Sequence, residues 1–384
     1  MVTNANKSLR FARGADPSKL EDIFHESSAY VENNIVLGAY PPNVLDIRVP
    51  YENSLFSLDG YATLNWQHLH DINRLVCAIR VYLQDTRRKR PLNIIMNAAP
   101  GSGKSHFVEC LAREMSEEGI GAVTFNMASM NSIEDLVNPL DAVRNLKVDG
   151  KLPLLLLDEF DTKTENYALL LPLLWDGEIR IHEKVLGVGK IVIILAGSKP
   201  DIAKSMSQAK NMASEAKADE SKLVDLMSRI NGPELTIPDL NQTDRKVDKI
   251  CVTISLLRRR FRSNLTLIPW ALLRFVSDTT FRHGVRSITN LVDLIAKEAF
   301  QDGKLDLASL DLPLGSEEDL TASHLSFHII EQNVVNLLEK WKENSKCKEL
   351  VQVADKDTKL SRVLNVALDE LFPRQKFPPT TKTH

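Results

Sequence analysis

The stretch Asn93-Ile94-Ile95-Met96-Asn97-Ala98-Ala99-Pro100-Gly101-Ser102-Gly103-Lys104-Ser105-His106 decides the fold. Its first five residues are a short apolar run of strand character. Phe107, Leu111 and Met115 follow at helical spacing, closed by Gly119. Between strand and helix lies G-x-x-x-x-G-K-[ST] with Ala98 in the first glycine position. Gly101 and Gly103 let the backbone turn so that successive amides face an anion, and the helix N-terminus adds its positive dipole end. The segment Ala98–His106 is therefore expected to cradle phosphates. Lys104 would neutralise the β- and γ-phosphates of ATP, and Ser105 would offer its hydroxyl to Mg²⁺.

Outward from this loop, strand and helix alternate. Ala122–Phe125, Leu152–Leu157 and Ile191–Ala196 are further short apolar runs expected to be buried on both faces. Glu234–Ile237 supplies a fifth strand. The pattern predicts an α/β fold with a doubly wound, parallel, five-stranded sheet. Leu154–Leu157 run into Asp158-Glu159 at a strand end, two units after the phosphate loop. Ligands in such folds bind beyond the carboxyl ends of the strands. Asp158 is thus placed to hold Mg²⁺ and Glu159 to activate the attacking water as general base. Asp161 is a weaker assistant. Ser198, at the tip of the Ile191–Gly197 strand, can hydrogen-bond the water or the γ-phosphate.

Residues 65–85 form an amphipathic helix marked by Trp66, Leu69, Ile72, Val76, Ile79 and Leu83, and residues 1–64 precede it with a possible helix after Asp16-Pro17. Beyond Asn241 the pattern turns to helix only. Stripes run through Val247, Ile250, Ile254 and Leu257, then Trp270, Leu273 and Val276, then Ile288, Leu291, Ile295 and Phe300. These divide the chain into a segment 1–64, a core 65–240, a helical domain 241–301 and an extension 302–384. That extension carries helices near 324–342 and 359–372 and ends in a disordered tail.

The 384 residues carry 48 basic and 51 acidic side chains, a net charge of −3. This argues against a generally nucleic-acid-binding surface. Two local basic clusters remain, Arg87–Arg90 and Arg258-Arg259-Arg260-Phe261-Arg262, without the aromatic interleaving that base stacking would use. No run approaches the roughly 18 apolar residues of a membrane span, and residues 1–17 contain no apolar stretch of the secretory kind. Cys77, Cys110, Cys251 and Cys347 lie far apart with no CxxC pair, as expected of reduced thiols in a cytoplasmic protein.

Asp225-Leu226-Met227-Ser228-Arg229-Ile230 precedes the fifth strand, and His283-Gly284-Val285-Arg286-Ser287-Ile288 opens the third helical stripe. With these, the order of parts over residues 60–301 resembles the AAA+ ATPase superfamily. Lys151–Phe160, Asp176-Gly177-Glu178 and Ala196-Gly197-Ser198 look more narrowly like an orphan bacterial branch of P-loop ATPases of unassigned biology. The resemblance implies a ring-shaped homo-oligomer in which Arg229 reaches the γ-phosphate in a neighbouring subunit. It also implies that Arg286 serves as a second sensor in a helical lid, with Arg282 as its rival. The protein client it implies stays unnamed. The segment after the second strand, Asn126-Met127-Ala128-Ser129-Met130-Asn131, lacks the aromatic and glycine of a translocating pore loop, leaving Met127 or Met130 to grip weakly. Two activities follow from the resemblance: ATP hydrolysis coupled to remodelling of a partner, or an ATP-dependent switch or scaffold with slow hydrolysis.

Overall fold

The computed structural model describes residues 44–46, 57–58, 60–63, 65–198, 218–241, 245–261, 267–295, 300–301, 304–305 and 327–330. The helices expected after Asp16-Pro17 and near 359–372, the tail and Cys347 lie outside them. The described chain divides into two compact units, one running from residue 57 to Leu240, the other holding 44–46 and the residues from Asn241 onward.

The first unit is built on strands β1 (Leu92–Ala98), β2 (Ile120–Asn126), β3 (Leu152–Asp158), β4 (Val192–Gly197) and β5 (Glu234–Ile237). All pair in parallel, in the order β5-β1-β4-β3-β2. This is the five-stranded α/β sheet expected. Its helices are α1 (Trp66–Gln84), α2 (Lys104–Glu114), α3 (Val137–Val148), α4 (Tyr167–Asp176) and α5 (Ala218–Met227). The side chains of Ile95, Leu155, Leu157, Ile193 and Leu195 pack with Leu140 and Val143 of α3 and Leu170, Leu173 and Leu174 of α4 in one core. Burial of such side chains contributes about 1.5–3 kcal/mol each. α1 starts behind Asn65, whose side chain accepts from the His68 amide at 2.9 Å. His68 itself is a core residue, bonded to the Tyr61 hydroxyl at 2.7 Å.

One strand expectation needs correction. β2 is not buried on both faces: Thr124 and Asn126 are exposed. Among the described residues it is the edge of the sheet, paired with β3 alone, and one row of its side chains meets solvent. Between α4 and β4 stands a hairpin, Glu178–Ile181 against Lys184–Gly187, with Ile179 and Ile181 turned inward. Gly177 closes α4 at φ 68°, and a Cβ there would lie 2.8 Å from the Gly189 carbonyl. Only glycine fits where the hairpin's two ends meet.

The second unit is not purely helical. Its helices are α6 (Lys246–Phe261), α7 (Trp270–Asp278) and α8 (Val285–Leu294). It also has a small sheet in which Val44–Asp46 pairs antiparallel with Leu267–Pro269, which in turn borders Lys304–Leu305 and then Phe300–Gln301. Part of segment 1–64 thus belongs to this unit. The third apolar stripe does not continue to Phe300. α8 stops at Leu294, Ile295 turns extended, and Arg260 bonds the Ile295 carbonyl at 2.7 Å. Phe300 instead meets the Phe261 ring at 5.8 Å. Residues 327–330, expected to be helical, are a turn and a bridge between Ile329 and Phe281. Among the described residues, no helix is long and apolar enough to cross a membrane.

Candidate functional site

The loop between β1 and α2 turns through Gly101 (φ 77°) and Gly103 (φ 91°), conformations that favour glycine. The Ser102 amide closes it on the Ala99 carbonyl at 3.1 Å, and Gly103 caps α2, accepting from the Phe107 amide at 2.9 Å. Ala98 stands at the end of β1 and Pro100 in the turn. Lys104 opens the helix and is only 8% exposed. His106 lies one residue past Ser105, its ring beside the Cys110 thiol one helical turn on.

β3 delivers its carboxylate to this loop. Asp158 Oδ1 lies 3.6 Å from Lys104 Nζ, and Asp158 Oδ2 accepts from Ser105 Oγ at 3.0 Å. The Glu159 amide donates to Asp158 Oδ1 at 2.9 Å. Three residues read separately in the sequence thus share one carboxylate, and the group is largely removed from solvent. Burying such charges is costly unless each finds a partner, and here each does.

Glu159 sits at φ 54°, in the left-handed region that a side chain rarely adopts. Such a conformation costs about 1–3 kcal/mol and persists only where its surroundings impose it. Those surroundings are visible: Thr162 N donates to the Glu159 carbonyl at 3.1 Å, Phe160 N donates to the Ala196 carbonyl at 3.2 Å, and the Phe160 ring is buried beside Tyr167.

Asp161, the weaker candidate, has a definite place. It is 2% exposed, and its Oδ2 accepts from the Ser198 amide at 2.9 Å. The carboxylate thereby ties the tip of β4 to the turn after β3. Burial and the nearby Asp161 charge push the Tyr167 phenol up to about 12. β4 runs between β1 and β3, with Asn97 opposite Gly197 and Asp158 opposite Ala196, so Ser198 ends the strand flanked by both halves of the site.

Met127 and Met130 are buried in the core beside Leu155 and Leu157, in and after a short turn of 3₁₀ helix. They do not present a gripping surface, which corrects the reading from sequence. Lys163, after the carboxylates, donates to the Met130 carbonyl at 2.7 Å and to Asn131 Oδ1 at 3.1 Å, binding the β2 loop to the β3 loop.

Arg229 lies at the opposite end of the strands. Its carbonyl accepts from Asn93 Nδ2 at 2.9 Å, and Asn93 is the second residue of β1. Five residues of strand, about 16 Å, separate Asn93 from Ala98. The site of its own chain is therefore out of reach. Its guanidinium is held by the Asp225 carboxylate and by the Asp225 carbonyl. Arg286 and Arg282 belong to the second unit, both exposed, Arg286 in the first turn of α8.

The residue that sequence reasoning missed is Asn93. It is fully buried in a parallel strand, and its Nδ2 donates to the Leu174 carbonyl at 2.7 Å as well as to Arg229. Asn231 Oδ1 accepts from the Asn93 amide at 3.0 Å, and the Gly232 amide donates back to the Asn93 carbonyl at 2.8 Å. The signal available was a polar residue inside an apolar run.

No protein-family model and no curated protein matches the chain. Among solved structures, NtrX from Brucella abortus in complex with ADP aligns over 78% of this chain and 67% of its own, at 13% identity and a TM-score of 0.40. Cdc6p from Pyrobaculum aerophilum aligns over 66% of each chain at 13% identity and a TM-score of 0.41. The S. cerevisiae Hsp104–ADP complex aligns over 89% of this chain and 50% of its own, at 14% identity and a TM-score of 0.35.

Proposed function

We propose that the protein is a magnesium-dependent ATPase of the AAA+ type, hydrolysing ATP to ADP and phosphate. The observation that carries this reading is the meeting of Lys104, Ser105 and Asp158, from two strand ends, with Glu159 beside them. A protein that merely bound nucleotide would have no use for a carboxylate held in a strained turn. The loop Ala98–His106 would wrap the phosphates, with Lys104 countering their charge. Ser105 Oγ and Asp158 are hard oxygen donors 3.0 Å apart, the donor chemistry Mg²⁺ takes, and the ion when bound would neutralise charge on the β- and γ-phosphates. Glu159 would accept the proton of the attacking water as its oxygen bonds to the γ-phosphorus and the bridging bond to ADP breaks. Ser198 would orient that water.

Arg229 would complete the site of a second copy. Its distance from the loop of its own chain supports a role in trans, and hydrolysis would then depend on a homo-oligomer. Arg286 would act as a sensor of nucleotide from the second unit. The burial of Met127 and Met130 favours a nucleotide-driven switch over a machine that threads polypeptide.

The test pairs two variants. Lys104→Ala should abolish binding of a fluorescent ATP analogue. Glu159→Gln should keep that binding, accumulate ATP-bound oligomers by light scattering, and lower turnover at least a hundredfold. Unchanged nucleotide affinity in Lys104→Ala would remove the site assignment.

A further inference from the structure

All strands of the sheet run the same way, so their amino ends form a second rim. Behind β1 stands Arg90, behind β4 Lys190, behind β3 Lys151, and Arg229 lies a few residues ahead of β5. In the order β5-β1-β4-β3 these cations form a row across four adjacent strands, about 15 Å long at the usual strand spacing. Arg87, Arg88 and Lys89 thicken it beside Arg90.

Arg229 is held by the Asp225 carboxylate, but aromatic rings organise the row at Arg88, Arg90 and Lys190. The Arg90 guanidinium lies 3.9 Å from the centre of the Trp175 ring. Arg88 and Lys190 each lie 5.1 Å from the centre of the buried Tyr82 ring. The Tyr82 hydroxyl donates to the Arg90 carbonyl at 2.9 Å and accepts from the Ile191 amide at 3.0 Å, so one side chain fixes both loops. Lys190 Nζ bonds the carbonyls of Leu83 and Asp85, closing the end of α1 on the same rim. Asp85 spends its Oδ1 on the amides of Arg87 and Arg88, and among the described residues none of Arg87, Arg88, Lys89, Arg90 or Lys151 is within ion-pair distance of a carboxylate. The other basic cluster differs: its Arg260 is committed to Asp293 at 3.3 Å and to the Ile295 carbonyl.

Trp175 remains 43% exposed with Arg90 against it. An exposed indole beside unpaired, preorganised cations is the composition of a single-strand platform, where phosphates meet the cations and a base stacks on the ring. The sequence shows no aromatic interleaved with Arg87–Arg90. The fold supplies it from the end of α4, 85 positions away from Arg90.

We propose that this rim binds single-stranded nucleic acid, with Arg87, Lys89, Arg90 and Lys151 on phosphates and Trp175 stacked on a base. The proposal does not depend on the ATPase reading, because it uses none of the nucleotide-site residues.

The experiment is fluorescence anisotropy of the full-length protein with labelled 20-nucleotide single strands of DNA and of RNA, and with a DNA duplex, at about 50 and 200 mM salt. With three to five phosphate contacts, single-strand affinity should fall roughly twenty- to hundredfold between those salts. The triple variant Arg87→Ala/Lys89→Ala/Arg90→Ala should weaken binding and make the logarithmic salt slope shallower by about two. Trp175→Leu should weaken it about five- to hundredfold while leaving that slope unchanged. Thermal melting checks that each variant is folded; if one is not, Lys151→Ala on its own should still reduce the slope by about 0.7. Preference for RNA or for DNA identifies the source of the strand. No anisotropy change in the wild type at about 50 mM salt overturns the proposal, as does equal affinity of the variants. A change of oligomeric state in the variants with strand binding intact would overturn it too, making the rim a contact between copies.

Discussion

At their carboxyl ends β1, β3 and β4 converge on Lys104, Ser105, Asp158 and Asp161, where cation and carboxylate meet directly and every charge has a partner. At their amino ends the same strands begin behind Arg90, Lys151 and Lys190, where cations rest on rings and carbonyls. One rim holds a buried lysine–carboxylate pair. The other offers a row of cations and length. A parallel sheet makes this division possible, because it sorts all its loops into two sets that never mix. Arg229 belongs by position to the second rim, although the chemistry proposed for it belongs to the first, in another subunit.

That contrast breaks most easily at Arg229. Arg229→Ala should preserve ATP binding and lower turnover about a thousandfold or more, the usual worth of such an arginine. Mixing it with Lys104→Ala protein should restore activity, since each chain then supplies what the other lacks. Steady-state phosphate release across a mixing series measures this, and a flat series would confine Arg229 to its own chain.

Asn93 sharpens the contrast, because it joins the two rims through β1. Asn93→Leu leaves the carbonyls of Leu174 and Arg229 without their donor, at about 1–3 kcal/mol for each buried group. It should lower turnover roughly tenfold with nucleotide affinity intact, and Lys104→Ala protein should rescue it in mixed oligomers. A chain that had merely lost stability would show lower melting temperature and no rescue.

Gly232 gives the smallest effect. A Cβ there would fall 2.7 Å from Ile94 Cγ1 and 2.9 Å from the Asn93 carbonyl. Gly232→Ala should therefore destabilise the first unit by about 1–3 kcal/mol, read by chemical denaturation, because the Ile94 side chain can yield but the carbonyl cannot.

The two rims were unequally legible in the sequence. The loop proposed to hold phosphates is a local spacing: Gly101, Gly103, Lys104 and Ser105 lie within a few residues, so the pattern alone pointed to it. Asp158 and Glu159 were legible because an apolar run must end at a strand tip. The second rim is assembled from residues such as Arg90, Trp175 and Lys190, which only strand order brings together. Asn93 was hidden because one polar residue does not change the character of an apolar run. Strand order also decides that β2 is an edge, which hydrophobicity alone did not reveal at Ala122–Phe125. Phe300 was misread because its spacing suits a helix, while a ring contact with Phe261 holds it in a strand.

The left-handed turn at Glu159 has an evolutionary corollary. Glycine at that position would relax the backbone and remove the carboxylate in one step. A lineage that needed only to hold ATP would thus gain stability by losing this side chain, and mutation would offer the change readily. On the hydrolysis proposed above, a glutamate held in that conformation would reflect selection for turnover.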